Sequence, residues 1–169
     1  MAVEKIVLAV NVGSTSKKYS VFFNNKKIFD CNFQFSGVYS DSFDNEFVLD
    51  KKTFLDSSKF LIERLNSYNI LSSFSHIGFR VVAPGLFFSK DRIIDNKFLS
   101  NLKKISKFAP LHVLPVLSEI ISLKRLFPKS KFVSISDSSF HNFVPLSNRL
   151  YPIKLYDSKK FEIYRYGYH

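Results

Sequence analysis

Asn11-Val12-Gly13-Ser14-Thr15-Ser16-Lys17-Lys18 stands between two apolar runs, Ile6-Val7-Leu8-Ala9-Val10 and Tyr19-Ser20-Val21-Phe22-Phe23. A β-branched run of strand length, a polar turn around one glycine and a second strand-like run predict a hairpin. Its tip is expected to carry hydroxyls, an amide and two ammonium groups. Two readings are open from this octapeptide. Backbone N–H groups at a glycine turn, Ser and Thr hydroxyls and lysine charges are the parts of a phosphate cradle; the same residues also suit a polar tip on an ordinary β-sheet.

Working outward, Asn24-Asn25 supplies two residues that tolerate positive φ, so residues 26–33 return as a third strand and the N-terminus is a meander. Residues 34–53 mix Ser, Asp and Asn with short apolar pieces and read as loop with one further strand. Asp56 or Ser57 is placed to cap a helix reaching about residue 71, with Leu61, Leu65 and Tyr68 at helical spacing. Ile77-Gly78-Phe79-Arg80-Val81-Val82 reads as a strand closed by Ala83-Pro84-Gly85. Arg80 inside it is a cation in an apolar run, which calls for an anionic partner or ligand.

Beyond it, Arg92-Ile93-Ile94 reads as a short strand and residues 96–106 as a helix. Phe108-Ala109-Pro110-Leu111-His112 reads as a turn, after which Pro115 opens a helix to about residue 127, ended by Pro128. Residues 131–136 form another strand, and Asp137 follows its carboxyl end, the position at which open α/β sheets bind ligands. The remainder carries a turn at Pro145, a short helix around residues 152–156 and a final aromatic strand, Tyr164-Arg165-Tyr166-Gly167-Tyr168-His169. Four of the five glycines (Gly13, Gly78, Gly85, Gly167) fall in these loop-edge stretches, where backbone geometry or close approach would use them. A β-β-β start followed by alternating helices and strands defines an α/β domain with a mixed sheet, and no internal boundary divides residues 1–169.

Composition bounds the partners. With 46% hydrophobic and 17% aromatic residues in 169, the chain can bury a full core. A formal charge of +11 and a pI near 9.7 favour anionic partners. The lysines are spread as pairs (Lys26-Lys27, Lys51-Lys52, Lys103-Lys104, Lys159-Lys160), without a zinc-finger spacing or an RNA-binding signature, so nucleic acid is not the expected partner. Cys31 is the single cysteine, which excludes an internal disulfide and a Cys-based metal cluster and fits a cytoplasmic setting. Neither a signal peptide nor an apolar run of membrane-spanning length is expected.

Taken together, Asn11 to Lys18; Gly78-Phe79-Arg80-Val81-Val82; Ala109-Pro110-Leu111-His112; Asp137-Ser138-Ser139-Phe140-His141; and Arg165 to His169 resemble, in order and spacing, the acetate kinases. These are carboxylate kinases of the actin-like, sugar-kinase and heat-shock ATPase superfamily. The resemblance implies a ribonuclease-H-like domain, a mixed sheet beginning with a three-stranded antiparallel meander and flanked by helices. It implies Mg²⁺-dependent in-line transfer between ATP and acetate, giving ADP and acetyl phosphate, and a homodimer in the complete family protein. By position, Asn11 would help hold the metal, Ser14 and Ser16 would line the phosphate side and Lys18 would contact the nucleotide. Arg80 would grip the carboxylate and the transferring phosphoryl group, Asp137 would be the active-site acid and His169 would donate to the transition state. Val82, Leu111 and Tyr168 would line the pocket for the substrate methyl, with His112 supporting.

The chain departs from that pattern at four places. Lys17 stands where the family usually has Leu, Phe79 where it has His, Ala83-Pro84-Gly85 where it has His-Gly-Gly, and Tyr168 where it has Phe. The family's pattern continues past the last residue into a second domain that binds most of the nucleotide. The chain is therefore expected to be the N-terminal domain alone, from a truncated product or a split enzyme. A non-catalytic domain that binds an anion or a partner is the alternative, as are propionate or butyrate as substrates.

Overall fold

The computed structural model describes residues 5–70, 73–140 and 143–166. Among the described residues eight strands join one mixed sheet in the order β5-β4-β3-β2-β1-β6-β8-β7. Strands β1 (Ile6–Val12), β2 (Ser16–Phe23) and β3 (Lys26–Gln34) form the expected antiparallel meander. Asn24 and Asn25 turn between β2 and β3 at φ of 46° and 69°, the left-handed pair that a two-residue hairpin demands. Residues 34–53, expected to hold one strand, hold two short ones, β4 (Val38–Asp41) and β5 (Glu46–Val48), extending the meander to the sheet edge.

On the other side of β1 the pairing turns parallel. Strand β6 (His76–Val81) pairs with β1, and β8 (Lys131–Ser136) pairs with β6. The edge strand β7 (Arg92–Ile93) runs antiparallel to β8. Leu8, Val10, Tyr19, Val21, Phe29, Phe33, Ile77, Phe79 and Phe132 alternate along the strands and are buried on one face. Against them pack helices α1 (Lys51–Leu55), α2 (Ser57–Ser67), α3 (Asn96–Ile105) and α4 (Pro110–Leu126), through Phe54, Leu61, Leu65, Phe98, Leu102, Val113, Val116, Ile120 and Leu123.

Three helix boundaries differ from expectation. The helix expected from Asp56 or Ser57 is α2, which ends at Ser67 rather than about residue 71, and α1 is an additional helix before it. Asp50 caps α1, its carboxylate accepting the Thr53 N–H at 2.7 Å, whereas Asp56 makes no side-chain cap. Helix α4 opens at Pro110, so the peptide read as a turn is its first turn and Pro115 lies inside it. Pro110 and Pro115 are both apolar and near a helix start, and sequence alone does not rank them. The burial of Val113 and Val116 against the sheet draws the helix back to the earlier proline. Of the helix expected around residues 152–156 only Leu155 and Tyr156 are helical, as the start of α6 (Leu155–Phe161), which the single turn α5 (Leu146–Arg149) precedes. Tyr164, Arg165 and Tyr166 are not in a strand, and Gly167 to His169 lie outside the described residues.

Candidate functional site

The hairpin is tighter than the sequence reading. Strand β2 begins at Ser16, so the tip is Gly13-Ser14-Thr15, and the Gly13 N–H donates to the Ser16 carbonyl at 2.8 Å. Both lysines expected at the tip lie in β2 and, being consecutive, point to opposite faces of the sheet. Lys17 is buried and Lys18 is exposed. Ser14 is exposed and Ser16 half-buried at the mouth of the turn, and their hydroxyls make no hydrogen bond among the described residues.

Register places the remaining groups. Lys18 lies opposite Asn11, and Asn11 lies beside Arg80 in the parallel β1–β6 pair. Strand spacing puts the Cα atoms of Lys18 and Arg80 about 10 Å apart, with Asn11 between them. The Arg80 guanidinium reaches past the end of β8 to Asp137, its Nε and Nη2 donating to Oδ2 at 2.9 and 2.5 Å. Nη1 faces the Asn11 Oδ1 at 3.5 Å. Arg80 is 44% exposed in its side chain and Asp137 only 2%, so a buried carboxylate orients a cation that still opens to solvent. Glycine at position 78, one strand position pair before Arg80, leaves open space where a Cβ would stand.

Loop geometry around Asp137 was not evident from sequence. Ser136 and Ser138, which flank it, fasten both ends of the loop that follows β6. The Ser138 hydroxyl donates to the Ala83 carbonyl at 2.8 Å and the Ser136 hydroxyl donates to the Phe88 carbonyl. The Ser136 N–H donates to Asp91 at 2.7 Å. Gly85 in that loop has φ of +98°, a conformation for which glycine is needed, whereas Gly13 has no positive φ. A Ser-Asp-Ser triplet at a strand end is the signal that could have announced these clamps.

Val82 is half-buried at the end of β6, beside the clamped loop. Leu111 and His112 stand on the first turn of α4, both exposed, Leu111 at 74%. The structure thus brings together Asn11, Lys18, Arg80 and Asp137 through strand register and the Arg80–Asp137 pair. His141, Tyr168 and His169 lie outside the described residues. Among the described residues no group of three or more His, Cys, Asp or Glu gathers as a metal cluster, and no helix is long and apolar enough to cross a membrane.

A mixed sheet with this strand order, an antiparallel meander leading into parallel strands and a polar row at their carboxyl ends define an α/β domain with the fold found in solved acetate and propionate kinases. Within that class the chain belongs to the Acetokinase family, which it matches over residues 6–169. It is 30% identical over 174 residues to the acetate kinase of Mycoplasmopsis pulmonis, covering 96% of this chain and 44% of that protein. It is 29% identical to the propionate kinase of Yersinia enterocolitica, covering 100% and 43%. A propionate kinase structure from Francisella tularensis superposes with a TM-score of 0.83 at 24% identity, covering 96% of this chain and 44% of that one. The Porphyromonas gingivalis acetate kinase superposes at 0.81 and 22% identity, covering 98% and 45%. The chain therefore spans less than half the length of these relatives.

Proposed function

We propose that this chain is the N-terminal, carboxylate- and phosphoryl-binding domain of a short-chain carboxylate kinase, acting on ATP and acetate or propionate. The observation that carries the reading is the row Lys18–Asn11–Arg80, with Asp137 anchoring the arginine. In the reaction a carboxylate oxygen attacks the γ-phosphorus, the bond to the β-bridging oxygen breaks, and ADP and the acyl phosphate leave with no net proton change. A loose transition state of this kind spreads charge over peripheral oxygens, so pre-set cations and N–H donors do most of the catalysis. Arg80 presents a planar fork that suits both carboxylate and phosphoryl oxygens, and Asp137 keeps that fork in place. Lys18 holds the nucleotide phosphates from the far side of Asn11, with Ser14 and Ser16 donating at the hairpin. Val82, Leu111 and Tyr168 would surround the substrate methyl, with His112 supporting and His169 donating to the transition state.

Asn11 and Asp137 are hard oxygen donors of the type that suits Mg²⁺, with the nucleotide phosphates and water completing its shell. Bound there, the ion would neutralise charge on the phosphate chain. The remaining contacts to ATP are expected from a second domain, in this polypeptide or another. Phe140, Phe143, Leu146, Ile153, Leu155, Tyr156 and Phe161 are all exposed, which is the apolar surface such a domain would cover. Trapping acyl phosphate as the hydroxamate, with ATP, Mg²⁺ and acetate or propionate, tests the reading. This chain mixed with the C-terminal half of a related kinase should form product and the chain alone little; no product in either would favour the non-catalytic alternative.

A further inference from the structure

Two identical side chains, Lys17 and Lys18, follow one another in β2, and only one can face the side of the sheet that carries Asn11 and Arg80, the cleft of the proposed function. A one-residue slip of a strand exchanges its faces, so something must choose between them. The choice is visible on the helix side of the sheet. The Lys17 ammonium donates to Glu119 Oε2 at 2.9 Å, to the Ser57 hydroxyl at 2.8 Å and to the Phe54 carbonyl at 3.1 Å, with the Leu55 carbonyl at 3.4 Å. Phe54 and Leu55 are the last residues of α1, so Lys17 also satisfies carbonyls that the helix end leaves open. Glu119 is 2% exposed and sits in the buried stripe of α4 between Val116 and Leu123. Among the described residues its Oε1 has no partner and Lys17 is the one cation paired with this carboxylate.

We propose that Glu119 is a positioning residue. By drawing Lys17 to the helix side it leaves Lys18 on the opposite face, in line with Asn11 and Arg80. Tyr19 and Val21 share the inward face with Lys17, so the register that sets Lys18 beside Asn11 also buries the Lys17 ammonium, and without Glu119 that ammonium would have only neutral acceptors and would penalise this register. The pairing has a fixed polarity, because the two carbonyls beside the ammonium would repel a carboxylate placed at position 17. It also accounts for a lysine where the family usually has leucine, since the neighbouring helix carries the matching acid. The part of this inference that concerns Lys18 and the nucleotide rests on the proposed function; the sorting of the two lysines does not.

Amine acetylation read by tandem mass spectrometry, paired with an ATP titration, tests it on the full chain. In the unaltered protein Lys18 should label at least tenfold faster than Lys17. In Glu119→Leu the two should label within threefold of each other and ATP affinity should fall about tenfold, although residue 119 lies across the sheet from the cleft. Glu119→Asp should keep Lys17 protected. Lys17→Leu/Glu119→Leu, which leaves nothing to sort, should bind ATP within threefold of the unaltered chain. Continued protection of Lys17 in Glu119→Leu, or a folded double variant that stays weak, would overturn the assignment. Should Glu119→Leu not fold, the double variant decides in the same way. An unaltered chain that binds no ATP yet shows the footprint and its loss would remove the nucleotide role of Lys18 and leave the sorting intact.

Discussion

At the level of single residues, two carboxylates divide the labour between chemistry and stability. Asp137 orients Arg80, and under the proposed function Arg80→Lys, which keeps the charge and loses the fork, should lower kcat in the complemented hydroxamate assay by about 100-fold or more. Near-full turnover would remove Arg80 from the role given to it. Asp41 serves the meander. Burial by itself would raise its carboxyl, but hydrogen bonds from Asn45, Tyr39, the Phe43 N–H and Tyr68 outweigh burial and hold it at about 2, against an ordinary value of 3.8. Arg64 stands beside it and stacks on Phe47 and Tyr68. A folded-state value below the unfolded one means that the contribution, about 2 kcal/mol, is complete above roughly pH 4 and is lost as the pH falls towards 2. Denaturant titrations from pH 6 to pH 2 should show this loss, and Asp41→Asn should flatten it while lowering stability at neutral pH by about 2 kcal/mol.

At the level of elements, helix α4 carries a proline at its sixth position, where the missing N–H forfeits one bond to Leu111. Pro115→Ala should therefore stabilise the chain by about 1–3 kcal/mol, seen as a raised melting midpoint. An unchanged or lowered midpoint would mean that the ring's packing outweighs the lost bond. The same helix shows where sequence was and was not legible. Strands β1, β2, β6 and β8 announce themselves because continuous or alternating apolar runs are set by burial, which composition records directly. Arg80 and Asp137 were legible for the complementary reason, since charge at a buried strand or at its end requires a partner. The partition of Lys17 from Lys18 was not, because it depends on Glu119, a hundred residues away along the chain. Nor were the clamps from Ser136 and Ser138 to Phe88 and Ala83, which depend on how two strand ends come to lie side by side. Short strands such as β5, with all three residues exposed, leave little hydrophobic pattern to read.

At the level of the whole molecule, one face of the sheet and its helices form a closed core, while the segment after β8 presents large side chains outward. Phe143 is 98% exposed. Phe143→Asp should leave folding stability within about 0.5 kcal/mol of the parent, because nothing is packed around the ring. It should reduce self-association in sedimentation velocity if that surface is adhesive in the isolated chain; a large drop in melting midpoint would show that the ring is packed in solution. The excess positive charge acts in the same direction as the substitution, keeping isolated copies apart at low salt.

The order of strands in the sheet also sets an order in time. From β1 to β5 each strand lies next to its predecessor in sequence, joined by short turns, so this half can assemble from contacts close along the chain. Strands β6 and β8 join only after long excursions, one across α1 and α2 and the other across α3 and α4. Loop-closure entropy therefore delays the meeting of Asn11 with Arg80, and that of Arg80 with Asp137 delays it further. Pulse-labelled amide exchange during refolding should protect β2 and β3 before β6 and β8; simultaneous protection would contradict this sequence of events. During synthesis, then, the hairpin that carries Asn11 and Lys18 would be standing well before Arg80 arrives, and the row of the three would be among the last features of the domain to form.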